Sequence, residues 1–233
     1  MRKISKIAAK LKLFGKKLLG FRRRWNYSNG RIRHEQKIIF VHIPKTAGNS
    51  ITKALSEVDN VPNKKRKKSP KIAKHAKAFE VRYLLGEDIW EDYFTFSFVR
   101  NPWDLMVSSY KWWRQKAANR VKRYANVARK IQSMDFQEFV NSKYGKYMIN
   151  ERYGNFFDWL SNGEEIMVDF VGKVENINED WAKICEINNL DHIEMPHENK
   201  TDRVSYRDYY NDETRQMVAK RFQKSIKYFD YSF

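Results

Sequence analysis

Cysteine is nearly absent from the 233 residues: Cys185 stands alone, so no internal disulfide can form, which fits a reducing compartment. No apolar run approaches the roughly 20 residues needed to cross a bilayer. The chain has no G-x-x-x-x-G-K-[ST], which excludes the usual nucleoside-triphosphate loop and disfavours a P-loop nucleotide kinase. No group of His, Cys and carboxylates has metal-ligand spacing, so no metal requirement is expected. Internal repeats and nucleic-acid fold motifs are also missing. Acidic residues are few, 28 against 46 Lys and Arg, for a net charge of +18.

That charge is unevenly placed. Residues 1–82 hold 24 basic and 4 acidic side chains, whereas residues 83–233 hold 22 and 24. At 233 residues, 42% of them apolar, the chain is long enough for one α/β core. The division expected is a basic leader over 1–36 and one domain over 37–233. In the leader, Ile4, Ile7, Ala8, Leu11, Phe14 and Leu18 recur at helical spacing, and ten Lys or Arg precede Trp25. Two readings stay open: a helix lying in an anionic membrane surface through residues 1–25, or a solvated basic tail. A transit peptide is disfavoured by the abundance of Lys and a single Ser in residues 1–25. A second basic run, residues 63–78, reads as a rim for an anionic acceptor or a solvated loop; with no accompanying motif, nucleic-acid binding is the weakest reading.

Two stretches concentrate the chemistry. Ile38 to Ile43 is uncharged, β-branched and aromatic, a buried strand. Pro44 stops it, Gly48 permits a tight turn, and Asn49 or Ser50 caps a helix running through Leu55. A strand turning through small residues into a helix gathers backbone N–H groups and the positive helix end at one point, an anion cradle, and Lys45 adds a point charge. In the second stretch, Tyr93 to Val99 is another strand, with Arg100 at its carboxyl end, where open α/β sheets bind ligands. Asn101-Pro102 turns the chain, and Asp104 falls in the cap or first turn of the next helix. The Arg100 fork and the Ser108 hydroxyl suit a second phosphate.

HIPKTAGNS followed by FVRNPWDLMVSSY resembles the paired phosphosulfate- and 3′-phosphate-binding motifs of sulfotransferases that use PAPS (3′-phosphoadenosine 5′-phosphosulfate). It is most similar to the carbohydrate branch that includes heparan-sulfate 2-O-sulfotransferase. The likeness continues through DFVGKVENINEDW, through MPHENKTDR and to the C-terminus, so it covers residues 37–233 discontinuously. One departure is Leu105, where that family usually has Arg. The resemblance implies a three-layer α/β sandwich with a central mostly parallel sheet, the P-loop-like sulfotransferase fold. It also implies sulfuryl transfer from PAPS to a sugar hydroxyl. Because eukaryotic secretory relatives usually carry a membrane anchor and no membrane-length apolar run is seen here, a cytoplasmic enzyme is expected, peripheral on the inner face of the membrane on the first of the two leader readings.

On that reading, Lys45 stabilises charge on the bridging phosphate oxygen, an effect confined to the transition state. The backbone of Thr46, Ala47, Gly48 and Asn49 and the hydroxyls of Thr46 and Ser50 hold the 5′ phosphosulfate. Arg100 and Ser108 hold the 3′-phosphate, and Asn199 and Thr201 belong, by resemblance alone, to a loop closing over the nucleotide. His75, between the two motifs and in the segment where the 2-O-sulfotransferase group has its catalytic histidine, is the candidate general base, with Glu80 in reserve. His42 more naturally braces the cradle, and His34, His192 and His197 have weaker cases. A basic membrane- or nucleic-acid-binding protein would leave Lys45 and Arg100 unexplained. The expected scaffold comprises a strand over Val168 to Val174 and helices over 178–188 and 212–226, the latter capped by Asn211 or Asp212.

Overall fold

The sheet forms where the sequence is most apolar. The computed structural model describes residues 31–58, 72–118, 125–145, 155–190, 195 and 205–233. Four strands lie side by side in chain order: β1 (Ile32–Arg33), β2 (Ile38–Val41), β3 (Phe94–Val99) and β4 (Phe170–Lys173). β1 runs antiparallel along the edge of β2, while β2, β3 and β4 are mutually parallel. Parallel neighbours require long crossovers, and helices fill them. Between β2 and β3 come α1 (Gly48–Val58), α2 (Ala78–Leu85) and α3 (Glu87–Asp92). Between β3 and β4 come α4 (Pro102–Ala118), α5 (Ala125–Gln132), α6 (Phe136–Asn141) and α7 (Phe156–Leu160). After β4 follow α8 (Ile177–Ile187), α9 (Asp212–Arg221) and α10 (Gln223–Phe229). Among the described residues no helix is long and apolar enough to cross a membrane.

Both faces of the sheet are covered, which is why its strands read as unbroken apolar runs rather than alternating ones. Successive side chains point to opposite sides. Ile38, Phe40, Phe96 and Phe98 pack on one side against Ile51 and Leu55 of α1 and Trp181 and Ile184 of α8. Ile39, Val41 and Val99 pack on the other against Val81 of α2, Leu105 and Met106 of α4, Phe139 of α6 and Val218 of α9. The result is the expected three layers about a mostly parallel sheet. It also accounts for Leu105: an apolar side chain, 1% exposed, belongs to that core.

Several boundaries differ from those read in the sequence. The fold starts before residue 37: β1 is paired with β2, and Arg31 accepts the Phe40 amide at 2.8 Å. A two-residue strand has no periodicity to betray it. β2 ends at Val41 rather than Ile43, and α1 begins at Gly48 and reaches Val58. Ala47, rather than Asn49 or Ser50, therefore stands at the cap, its carbonyl accepting the Ile51 amide. β4 is confined to 170–173, because Val174–Asn176 curls into a 3-10 turn. The single helix expected over 212–226 breaks at Phe222, whose backbone (φ −102°, ψ 16°) leaves helical geometry while its fully buried ring packs against Phe156. Asn211 caps α9 as expected, accepting from the Thr214 amide.

Candidate active site

The cradle between β2 and α1 is a strained loop. Lys45 (φ 67°) and Ala47 (φ 56°) both occupy the left-handed region without being glycine, at a cost of about 1–3 kcal/mol each. Such curled backbone presents successive N–H groups to an anion. The first i→i−4 bond of α1 is made by Ile51, so the amides of Gly48, Asn49 and Ser50 have no acceptor within the helix. Thr46 is fully buried and its hydroxyl donates to the Ile43 carbonyl at 2.9 Å, closing the loop from within. Gly48 lies in helical backbone and serves close approach, not a turn: a Cβ there would fall 1.9 Å from His42 Nε2. His42 is 3% exposed, its Nδ1 has no hydrogen-bond partner, and burial holds its pKa well below 6.5. It packs against the cradle as a neutral ring.

Arg100 joins the second motif to the first. Asn101 caps α4, accepting the Trp103 amide at 3.0 Å, with Pro102 as first helical residue. This places Arg100 at the carboxyl end of β3, 4% exposed. Its Nε donates to Asp104 at 2.8 Å and its Nη1 donates to the Lys45 carbonyl at 3.2 Å. Nη2 is ion-paired with the same Asp104 oxygen at 2.7 Å, so Asp104 holds the fork at the mouth of the cradle. Asp104, Ser108 and Trp112 follow at four-residue intervals on one face of α4. Trp112 lies beneath Lys45, the ammonium 5.6 Å from its ring centroid, with Lys116 at 5.3 Å.

The segment before α2 brings in the third group. His75 Nδ1 donates to the His42 carbonyl at 3.2 Å, and the two rings meet edge to face at 4.6 Å. A carbonyl only accepts, so the contact sets the tautomer and makes Nε2 the basic nitrogen. Lys74 donates to Asn49 Oδ1 at 2.8 Å, and burial lowers its pKa. Glu80, the reserve base, instead caps its own helix by accepting the Lys77 amide at 2.7 Å; burial raises its pKa. His34 is occupied with the Tyr93 hydroxyl at 2.7 Å. Asn199, Thr201, His192, His197, the leader residues 1–30 and the basic residues 63–71 lie outside the described residues. Sequence reasoning missed Asp104 as the Arg100 partner, Lys74 as a link to the cradle, and Arg31. Only Asp104 had a signal, its i+4 spacing from Arg100.

These contacts define an α/β protein whose strand ends gather Lys45, Lys74, Arg100 and unpaired helix-start amides around one loop, a site built for anionic groups. The chain belongs to the Sulfotransferase family, which it matches over residues 29–232. It is also 31% identical over 109 residues to an uncharacterized protein of Archaeoglobus fulgidus, an overlap covering 47% of this chain and 78% of that protein. Membership implies sulfuryl transfer with PAPS as cosubstrate.

Proposed function

We propose that this enzyme moves the sulfuryl group of PAPS to a hydroxyl of a carbohydrate acceptor and releases 3′-phosphoadenosine 5′-phosphate (PAP). The observation that supports it most is the convergence on the Lys45 loop: Arg100 donates to the Lys45 carbonyl, and His75 donates to the carbonyl of His42, three residues earlier. The residues present fit the donor's two anionic ends. The amides of Gly48, Asn49 and Ser50 suit the 5′ group, and the Arg100 fork, with Ser108 one turn beyond Asp104, suits the 3′-phosphate.

Bound PAPS supplies a sulfuryl group on a phosphate leaving group. His75 Nε2 takes the proton of the acceptor hydroxyl as its oxygen bonds to sulfur. The bond from sulfur to the bridging phosphate oxygen breaks, and the Lys45 ammonium neutralises the electron pair left on that oxygen. Lys45 is held for this by the Arg100 contact to its carbonyl and by Trp112 beneath its ammonium. A carbohydrate acceptor, anionic or lipid-linked, is favoured by the likeness of both motifs to the carbohydrate branch. The basic residues 63–78 would attract it, and the basic leader would hold the enzyme to an anionic membrane surface on the cytoplasmic side.

Thermal shift with PAPS, ATP and an oligonucleotide, followed by labelled-sulfate transfer to a glycan panel, tests the reading. Ligand at 100 times its Kd stabilises by about 2.7 kcal/mol, so PAPS should raise Tm by several degrees and the other two should not. Equal shifts with ATP, or label transferred to no glycan, would overturn it.

A further inference from the structure

We infer that Arg31 is a positioning residue, whose buried guanidinium holds the 72–75 loop so that His75 keeps its Nδ1–H tautomer and its place at the cradle. The inference rests on the reading of His75 as base. Arg31 is 4% exposed and lies in the stretch that composition assigns to the leader. Its Nη1 donates to the carbonyls of Ala73 (3.1 Å) and Lys74 (2.6 Å), and its Nη2 donates to that of Ile72 (3.3 Å). Three successive carbonyls are thus tied to one planar fork, a geometry a lysine ammonium does not reproduce.

The other end of the strut is equally fixed. The Arg31 carbonyl accepts the Phe40 amide at 2.8 Å, and β1 is paired with β2 through Ile32↔Ile39 and Arg33↔Ile38. β2 runs directly into His42, whose carbonyl accepts from His75. Arg31 therefore connects the strand bearing the acceptor carbonyl to the loop bearing the donor ring, across 41 to 43 positions of sequence. The loop has little regular structure: Ala76 N–H to Ala73 O, 3.1 Å, is a local turn, and only Ile72 and Ala76 are buried apolar side chains there. Lys74, bonded to Asn49, supplies one of the carbonyls that Arg31 grips, and His75, bonded to His42, is the next residue. Burial lowers the Arg31 pKa to about 10, which leaves the group cationic at neutral pH and its five donors available.

The test uses the full chain with PAPS and water, so no acceptor is needed: hydrolysis gives PAP, sulfate and a proton. Nitrogen-15 NMR of histidine-labelled protein above pH 8 reads the His75 tautomer, with His75→Ala assigning the signal. Wild type should show Nδ1–H. In Arg31→Lys that tautomer should be lost and hydrolysis should fall about 10- to 100-fold, since an ångström of misplacement costs about a hundredfold. PAP affinity by calorimetry should stay within about threefold, because Arg100 and the cradle amides are untouched. In the His75→Ala background, Arg31→Lys should lower the rate less than about twofold.

An intact tautomer with unchanged hydrolysis in Arg31→Lys overturns the inference. So does an equal rate loss in both backgrounds, the mark of a merely structural residue. Near-wild-type hydrolysis by His75→Ala would instead bring down the base assignment and this inference with it. Should Arg31→Lys fail to fold, wild-type protein decides: slowly exchanging Arg31 Nη protons coupled to the carbonyls of residues 72–74 support the clamp, and fast exchange refutes it.

Discussion

Arg100→Ala separates the two phosphate positions. The side chain is 5% exposed, held through Nε and Nη2 by Asp104 and bonded through Nη1 to the Lys45 carbonyl. A charge-assisted hydrogen bond from this group to a 3′-phosphate contributes about 1.5–3 kcal/mol, or roughly ten- to a hundredfold in affinity. The substitution also removes the Arg100 partner of the Asp104 carboxylate, whose side chain is 17% exposed. Losing this partly buried pair and the Lys45 contact is expected to lower stability and the order of Lys45 somewhat. Affinity for PAPS alone would therefore be ambiguous. Adenosine 5′-phosphosulfate, identical but for the 3′-phosphate, reports every effect except that of the 3′ contact. Calorimetric titration with both nucleotides should show PAPS weakened at least tenfold more than adenosine 5′-phosphosulfate. Equal weakening would refute the assignment and leave Arg100 as a brace for the Lys45 loop.

Three further outcomes follow from the same geometry. His75→Ala should lower PAP release about 10²–10⁴-fold at nearly unchanged PAPS affinity, whereas Glu80→Gln, altering a helix cap, should leave it near wild type; the opposite pattern in steady-state rates makes the carboxylate the base. Gly48→Ala should destabilise despite the roughly 1 kcal/mol gain in helix propensity: the new Cβ meets a ring wedged between Phe40 and His75 that cannot yield. Overpacking costs about 1–3 kcal/mol, and urea midpoints should show the loss reversed in a His42→Ala background. His42 itself sets an acid limit. Its folded pKa lies below the ordinary 6.5, so the unfolded chain binds the extra proton, and the stability present above pH 6.5 is lost as pH falls towards the folded value. The slope is at most about 1.4 kcal/mol per pH unit; urea midpoints from pH 7.5 to 5.5 should fall less steeply in His42→Asn, and an identical slope would show that His42 does not titrate on unfolding.

What the amino-acid sequence determined by itself is local. Ile38 to Val41 and Phe94 to Val99 are strands because uncharged β-branched and aromatic runs bounded by Pro44 and by Asn101-Pro102 have few other low-energy choices. The cradle, the Asn101 cap and the Arg100–Asp104 pair arise within four or five residues of one another, so their order in the chain already specifies them. What tertiary structure decided is every contact made over a long separation. His75 reaches His42 across 33 positions, and Arg100 reaches Lys45 across 55. Gly48 is required by a ring six residues upstream, and the break at Phe222 by burial against Phe156. Arg31 looked like one more cation of a basic leader, because charge counting cannot distinguish a solvated guanidinium from one closed over three carbonyls. Beside the edge of the sheet its side chain is withdrawn from water, and desolvation makes the carbonyls of Ile72, Ala73 and Lys74 its natural partners.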